Sequence, residues 1–317
     1  MGERIAIIDV GTNSVLLLIC QIEGDSLKTI RDETVITRLG EGLREGGSLS
    51  NEAMSRTAEA ILEYRDLARR MNAERVILLG TSALREAQNS DEFVDMIRGD
   101  VGLELKIVSG EEEGKLSFIS VARDPDLNLP DGLICVTDIG GGSTEVILGK
   151  GEEVLFHGSF DVGAVKLTDE FLRSDPPQED EIAGMREHLE KRWAEIPEES
   201  ICGMIGIGGT VTTIGAMRLR LTEFDPSAVH GLDLWREEVE GIFRRLISLP
   251  TLERAEIAGM EPGRADIIVA GVAILLSLMS RFKVEKVKVS CKGLRYGMAY
   301  LLKGDDQGVI IPVSCES

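Results

Sequence analysis

The sequence is thin in aromatic residues, at 4%, and holds only three histidines, none close to another. That spacing argues against a histidine-based metal centre. Five cysteines, Cys20, Cys135, Cys202, Cys291 and Cys315, are odd in number and form no C-x-x-C pair. They read as reduced thiols packed as small hydrophobes rather than as a disulfide framework or a zinc site. No apolar run reaches the roughly 18 residues that span a bilayer. The longest, Ile267–Met279, is interrupted by Gly271 and Ser277 and suits a buried helix. Asp9 and Asn13 break up the N-terminal apolar stretch, so it makes a poor signal-peptide core, and a cytoplasmic protein without a membrane partner is expected. Positive charge is also short: the formal net charge is -20. Nucleic acid is therefore not an expected partner. A polyanionic small molecule is compatible only if local arginines, backbone amides and a divalent cation supply the attraction.

What is present is an ordinary globular composition, 43% hydrophobic and 28% charged, over 317 residues. That length exceeds the usual size of a single core, so two domains are expected. Short β-branched runs alternate with longer amphipathic segments, which predicts α/β layering. Strands are expected at Ile5–Ile8, Val15–Gln21, Val76–Leu79, Leu105–Val108, Leu133–Val136, Glu145–Leu148, Val154–His157, Met204–Ile207 and Val287–Ser290. A helix capped by Ser50 should run to about Met71, and others are expected near Asp91–Arg98, Glu111–Ala122, Val165–Leu172, Glu179–Trp193, Trp235–Ser248, Ala265–Phe282 and Leu294–Leu302. Turn residues cluster at Arg123–Gly132 and mark the domain boundary. The expected division is 1–124 with a C-terminal helix at about 294–303, then 125–293, then a weakly structured tail at 304–317.

An internal echo is the most informative feature. Ile7–Val15 reads IIDVGTNSV and Val136–Thr144 reads VTDIGGGST. Each is a strand, then Asp-x-Gly-x-x-Ser, then a second strand, and the repetition points to two domains of similar construction. Turns rich in glycine and small hydroxyl residues can present backbone amides to an anion without a Cβ in the way. Gly11, Thr12, Asn13 and Ser14 in the first loop, and Gly140, Gly141, Gly142, Ser143 and Thr144 in the second, are therefore candidate phosphate ligands. Asp9 and Asp138 would repel phosphate themselves; their useful role is to hold a divalent cation such as Mg²⁺. A third glycine stretch, Gly206–Thr210, follows a strand and opens a helix whose N-terminus suits an anion.

These stretches, together with RLGEGL (38–43), GTSALREAQNSDEF (80–93), VSGEEEGKLSF (108–118), DVGAVKLTDEF (161–171) and GRADIIVAG (263–271), resemble the exopolyphosphatase and guanosine pentaphosphate phosphatase family. That family lies within the actin, sugar-kinase and heat-shock-chaperone superfamily. The resemblance implies two actin-like, ribonuclease H-like domains with an active-site cleft between them, in a short form lacking a C-terminal helical HD-type extension; closure of the cleft around substrate is expected, because water exclusion and contacts from both domains favour it. It implies that Glu113 activates the attacking water, that Arg85 contacts the transferred phosphoryl group, and that Asp138 and Glu145 serve the cation or order the water. The residues alone leave Glu111, Glu112 and Glu113 as equivalent acids favoured at a helix N-terminus. Arg38, Lys166 and Arg264 lie in matched stretches and are candidates for the rest of a phosphate chain.

The expected activity is Mg²⁺-dependent release of terminal phosphate from inorganic polyphosphate, conversion of guanosine pentaphosphate to tetraphosphate, or both; a homodimer is admissible. Two other readings stay open at this point: a superfamily kinase using ATP, and a non-catalytic sensor of guanosine tetra- or pentaphosphate. Lys292 and Tyr296 stand beside a G-L-R run where the family is more usually acidic, and either substrate preference or packing would account for them. No role for His230 follows from the sequence.

Overall fold

The computed structural model describes residues 2–24, 26–43 and 46–303. The expected tail and Cys315 lie outside them. Strands β1 (Glu3–Val10), β2 (Ser14–Glu23) and β3 (Ser26–Ile36) form an antiparallel meander. Helix α1 (Asn51–Arg70) returns the chain to β4 (Arg75–Gly80), parallel to β1. Helices α2 (Ser82–Glu86) and α3 (Ser90–Met96) lead to β5 (Leu105–Ile107), parallel to β4, and α4 (Gly110–Ala122) follows. The sheet order is β3-β2-β1-β4-β5.

The second sheet repeats the scheme. Strands β6 (Ile134–Ile139), β7 (Thr144–Lys150) and β8 (Glu153–Phe160) form another antiparallel meander. Helices α5 (Ala164–Phe171) and α6 (Glu179–Arg192) precede β9 (Gly203–Ile207), parallel to β6. Helices α7 (Gly208–Leu219) and α8 (Pro226–Val229), strand β10 (Asp233–Trp235) and helices α9 (Arg236–Ile247), α10 (Thr251–Ala255) and α11 (Ile268–Arg281) follow. Strand β11 (Lys286–Val289), parallel to β9, and helix α12 (Leu294–Lys303) end the described chain. The order β10-β11-β9-β6-β7-β8 is that of the first sheet with β10 added at one edge. The nine-residue echo is thus one piece of a whole-domain duplication.

Contacts between Cα atoms divide the chain into Met1–Ser120 with α12, and Val121–Gly293. In the first unit, the apolar run Ile5–Ile8 on β1 is fully buried, as a central strand covered on both faces requires. Ser50 Oγ accepts the Ala53 amide at 3.2 Å to cap α1, whose Met54, Ala58 and Ile61 face the core. The C-terminal helix is tied to the same sheet: Arg295 donates to Leu17 O at 2.7 Å and to Asp32 at 2.6 Å, and Tyr296 Oη donates to Asp32 at 2.8 Å. Tyr296 therefore packs inward. The second unit's core gathers α7, α9 and α11 on β6, β9 and β11. Trp193 stands edge-on to Phe160 at 5.1 Å there, and its Nε1 donates to Ser277 Oγ at 2.8 Å.

Several expectations need correction. The sequence does not predict strand β3, because its run SLKTIRDETVI is too polar; it is a sheet edge, where such residues belong. Strand β10 and helices α2, α8 and α10 are too short for a periodic pattern to repeat often enough to be read. Cys20 and Cys135 are buried as expected, but Cys202 is exposed and Cys291 half-buried. No described helix is long and apolar enough to cross a membrane.

Candidate active site

The two Asp-Gly loops fold alike. Val10 pairs with Val15 and Ile139 with Thr144, leaving four-residue turns at 11–14 and 140–143. In each, the first glycine donates back to the serine carbonyl: Gly11 N to Ser14 O at 2.9 Å, and Gly140 N to Ser143 O at 3.0 Å. The first amide of each turn is therefore consumed internally, so the nest is smaller than the sequence suggests. The carbonyls are tied down as well. Asn13 O takes the amides of Thr37 and Arg38, and Gly141 O takes those of Val165 and Lys166 at the start of α5. The amides of Thr12, Asn13, Gly141 and Gly142 have no acceptor among the described residues, which leaves the donor side of both turns for an anion. Asn13 adds a buried side-chain Nδ2 with no described partner.

Arg85, on α2, and Glu113, on α4, meet. Arg85 Nη1 donates to Glu113 Oε2 at 2.5 Å and to Val108 O at 3.1 Å. Local chemistry separates Glu113 from its neighbours. Glu112 forms a capping box with Ser109, accepting its amide at 2.8 Å, and pairs with Lys106 at 2.9 Å. Burial works against its charge, but Lys106 and Ser109 more than offset it and hold Glu112 below the ordinary carboxylate range. Glu111 is exposed. Glu113 is 8% exposed, and burial pushes its carboxyl up despite the opposing pull of Arg85. A carboxylate with a raised pKa beside a fixed guanidinium is suited to taking a proton near neutral pH.

In the second unit Asp138 and Glu145 are direct partners across β6 and β7. Residues so paired hold their Cβ atoms about 4.5–5.5 Å apart, and like charges there repel. Glu145 is 1% exposed and takes hydroxyl bonds from Ser143 at 2.8 Å and Ser159 at 2.9 Å. Gly208, which opens α7 at φ 85, lies so close that a Cβ on it would be 2.6 Å from Asp138 Oδ1. Two opposed carboxylates, oriented hydroxyls and a closely approached Asp138 form a donor set that fits a hard divalent cation. Next to Gly208, a Cβ on Gly209 would fall 2.2 Å from Arg264 Cζ, so the Arg264 guanidinium rests on the helix's first turn. Glu261 holds it there, accepting from Nε at 2.7 Å.

The remaining candidates are distributed. Asp9 and Arg38 belong to the first unit and Lys166, bonded to Asp161, to the second. Asp124, Asp126 and His230 bring ligand atoms within 4.8 Å of one another. This group does not suit a metal, because Lys292 Nζ already bridges Asp124 at 2.6 Å and Asp126 at 2.9 Å. His230 Nδ1 accepts the Cys291 amide at 3.2 Å, which places the ring proton on Nε2, facing Asp124 at 3.2 Å. Lys292 is thus an ion-pair partner of Asp124 and Asp126, and His230 a further partner of Asp124. Sequence reasoning missed Ser159, for which there was no signal, and Gly208, for which the G-I-G-G run was a weak one.

The sequence matches the model of the Ppx/GppA phosphatase family over residues 18–304. Exopolyphosphatase 2 of Mycobacterium tuberculosis is 35% identical over 95% of this chain and 99% of its own length. Exopolyphosphatase 1 of the same organism is 31% identical over 93% of this chain and 87% of its own. Among solved structures, the Aquifex aeolicus Ppx/GppA family member superposes with a TM-score of 0.81 at 35% identity, covering 96% of this chain and 99% of that one. An exopolyphosphatase from Cytophaga hutchinsonii superposes at 0.89 and 28% identity, covering 97% and 99%. The chain belongs to the Ppx/GppA phosphatase family, and its fold is the expected α/β pair of actin-like domains.

Proposed function

We propose that this Ppx/GppA family member is a divalent-cation-dependent phosphohydrolase that removes the terminal phosphate of inorganic polyphosphate, with guanosine pentaphosphate as a second substrate. The observation that carries the reading is the Arg85–Glu113 pair: a buried carboxylate whose pKa burial raises, held by a half-buried guanidinium. The curated relatives bearing the name exopolyphosphatase support the choice of substrate. Both substrates end in a phosphoanhydride, so one site can serve both.

In this reading Glu113 takes a proton from water, the water oxygen bonds to the terminal phosphorus, and the bridging P–O bond breaks. The shortened chain leaves with that electron pair, and inorganic phosphate is released. Arg85 orients Glu113 and contacts oxygens of the transferred phosphoryl group, matching its fork of donors to them. The amides of Thr12 and Asn13, with Ser14, and the amides of Gly141 and Gly142 would bind phosphate oxygens, and Arg264 adds charge at the start of α7; the Ser143 and Thr144 hydroxyls, expected from the sequence to join them, are instead spent on Glu145 at 2.8 Å and Val162 O at 2.6 Å. Asp138 and Glu145 would hold the cation, and a cation bound there would supply charge neutralisation on the phosphate oxygens.

The test is side-by-side phosphate release from polyphosphates of several lengths and from guanosine pentaphosphate, with Mg²⁺ varied. Mg²⁺-dependent release from polyphosphate is expected. Binding without release favours the sensor, transfer to an added acceptor favours the kinase, and either result overturns the proposal.

A further inference from the structure

Arg38 holds a backbone conformation that a residue with a side chain seldom adopts, at φ 52. Such a turn persists only where its surroundings hold it, and it clusters at ligand clamps. Here the clamp has two jaws. From the phosphate loop, Asn13 O accepts the amides of Thr37 at 3.0 Å and Arg38 at 2.9 Å. From helix α1, Arg56 Nε donates to Thr37 O at 2.6 Å, and its Nη2 reaches Arg38 O at 3.5 Å.

The clamp brings two guanidinium groups to one carboxylate. Glu41 Oε1 lies 3.8 Å from Arg38 Nη1, and Glu41 Oε2 lies 3.6 Å from Arg56 Nη2. Neither distance is a close hydrogen bond, and the Glu41 side chain is 60% exposed. Contacts of that kind are weak and screened by water. A phosphate presents the same pair of oxygens with more charge, and two guanidinium forks match it better than one distant carboxylate. The phosphate loop that anchors this turn also carries the buried, unpartnered Asn13 Nδ2. A chain with a net charge of -20 needs such local sites, since its overall field repels a polyanion.

We propose that Arg38 and Arg56 form an anion subsite for a phosphate of the substrate chain other than the one removed, and that the Glu41 carboxylate stands in for that phosphate until substrate displaces it. The proposal rests on the reading of the substrate as a phosphate chain. It adds Arg56 as a substrate-binding residue and gives Glu41 the role of a competitor. It also accounts for the strained turn, whose cost is met by the hydrogen bonds that aim Arg38 at the shared carboxylate.

The test uses four variants and two readouts: KM and kcat for phosphate release from polyphosphate, and calorimetric binding of tripolyphosphate, which needs no turnover. Arg56→Ala should raise KM about tenfold with little change in kcat, as loss of a charged contact made equally in ground and transition states requires. Arg56→Lys should fall between. Glu41→Gln, an exposed change that leaves folding intact, should move KM and the tripolyphosphate dissociation constant the other way, several-fold down. Arg69→Ala, on the exposed end of the same helix, should change neither. Unchanged or weakened binding in Glu41→Gln, or no tripolyphosphate binding by the unaltered protein, overturns the subsite. If the variants order as expected in binding but no phosphate is released, the subsite stands and the hydrolase reading fails. If release is normal but binding is indifferent to Arg56 and Glu41, the hydrolase reading stands and the subsite fails.

Discussion

Arg85 and Glu113 lie 28 residues apart in sequence, yet the Arg85 guanidinium donates to the Glu113 carboxylate at 2.5 Å. The contact exists because β4 and β5 are parallel neighbours, so the residues just beyond their ends are brought side by side. It leaves Glu113 the buried acid of three, while Glu112 caps the helix and Glu111 faces water.

Glu113→Gln should fold as the parent does and lose about 10²–10⁴-fold in kcat, the usual contribution of a positioned base. Circular dichroism checks the first point and phosphate release the second. Near-parental turnover would remove Glu113 from the assigned role.

The same pair fixes a pH dependence. Burial raises Glu113 above its ordinary value of 4.5, and Arg85 works against the rise. The base must be ionised to act, so kcat/KM should climb with pH through a value above 4.5. Arg85→Ala removes the opposing pull and should shift that limb further upward, beside lowering its plateau. A limb that moves down, or not at all, contradicts the electrostatic assignment.

Gly208→Ala tests the proposed cation site without altering any carboxylate. The new Cβ would fall 2.6 Å from Asp138 Oδ1 at a φ of 85 that alanine resists. The Mg²⁺ concentration giving half-maximal activity should rise about 10- to 100-fold, as when a ligand's support is lost. An unchanged Mg²⁺ titration would separate Asp138 from the cation.

Lys292→Met addresses stability. Asp124 is fully buried at its side chain; burial opposes its charge, and bonds from His230 and Lys292 more than offset this, holding its pKa down. A carboxyl depressed by folding stabilises above its unfolded value of 3.8, and that stability is lost as pH falls through the folded value. Lys292→Met should therefore cost about 3–5 kcal/mol near neutral pH. Denaturant unfolding should show the gap narrowing below 3.8. An equal deficit at both ends would indicate lost packing instead.

The sequence carries the duplicated loops well, because Asp-x-Gly-x-x-Ser between two apolar runs admits few backbone solutions, and both turns close with the same glycine-to-serine bond. The parallel strands are legible for a similar reason: burial on both faces demands continuous apolar runs such as Ile5–Ile8. Strand β3 is not legible, since an edge strand keeps charges to resist further pairing. The choice of Glu113 is half legible. Ser109-x-x-Glu112 is a capping signature that sets Glu112 aside, but the partnership with Arg85 depends on tertiary structure alone. The Arg38–Glu41–Arg56 arrangement has no signal, because it needs a strained turn and a helix from elsewhere in the chain.

At the centre of the proposed mechanism, water activated beside Arg85 would attack the terminal phosphorus. Turnover of polyphosphate in ¹⁸O-labelled water, with Mg²⁺ present, tests this most directly. One solvent oxygen in each released phosphate, and none in the shortened chain, is the predicted result. Phosphate free of label, or label at the new chain end, would contradict it.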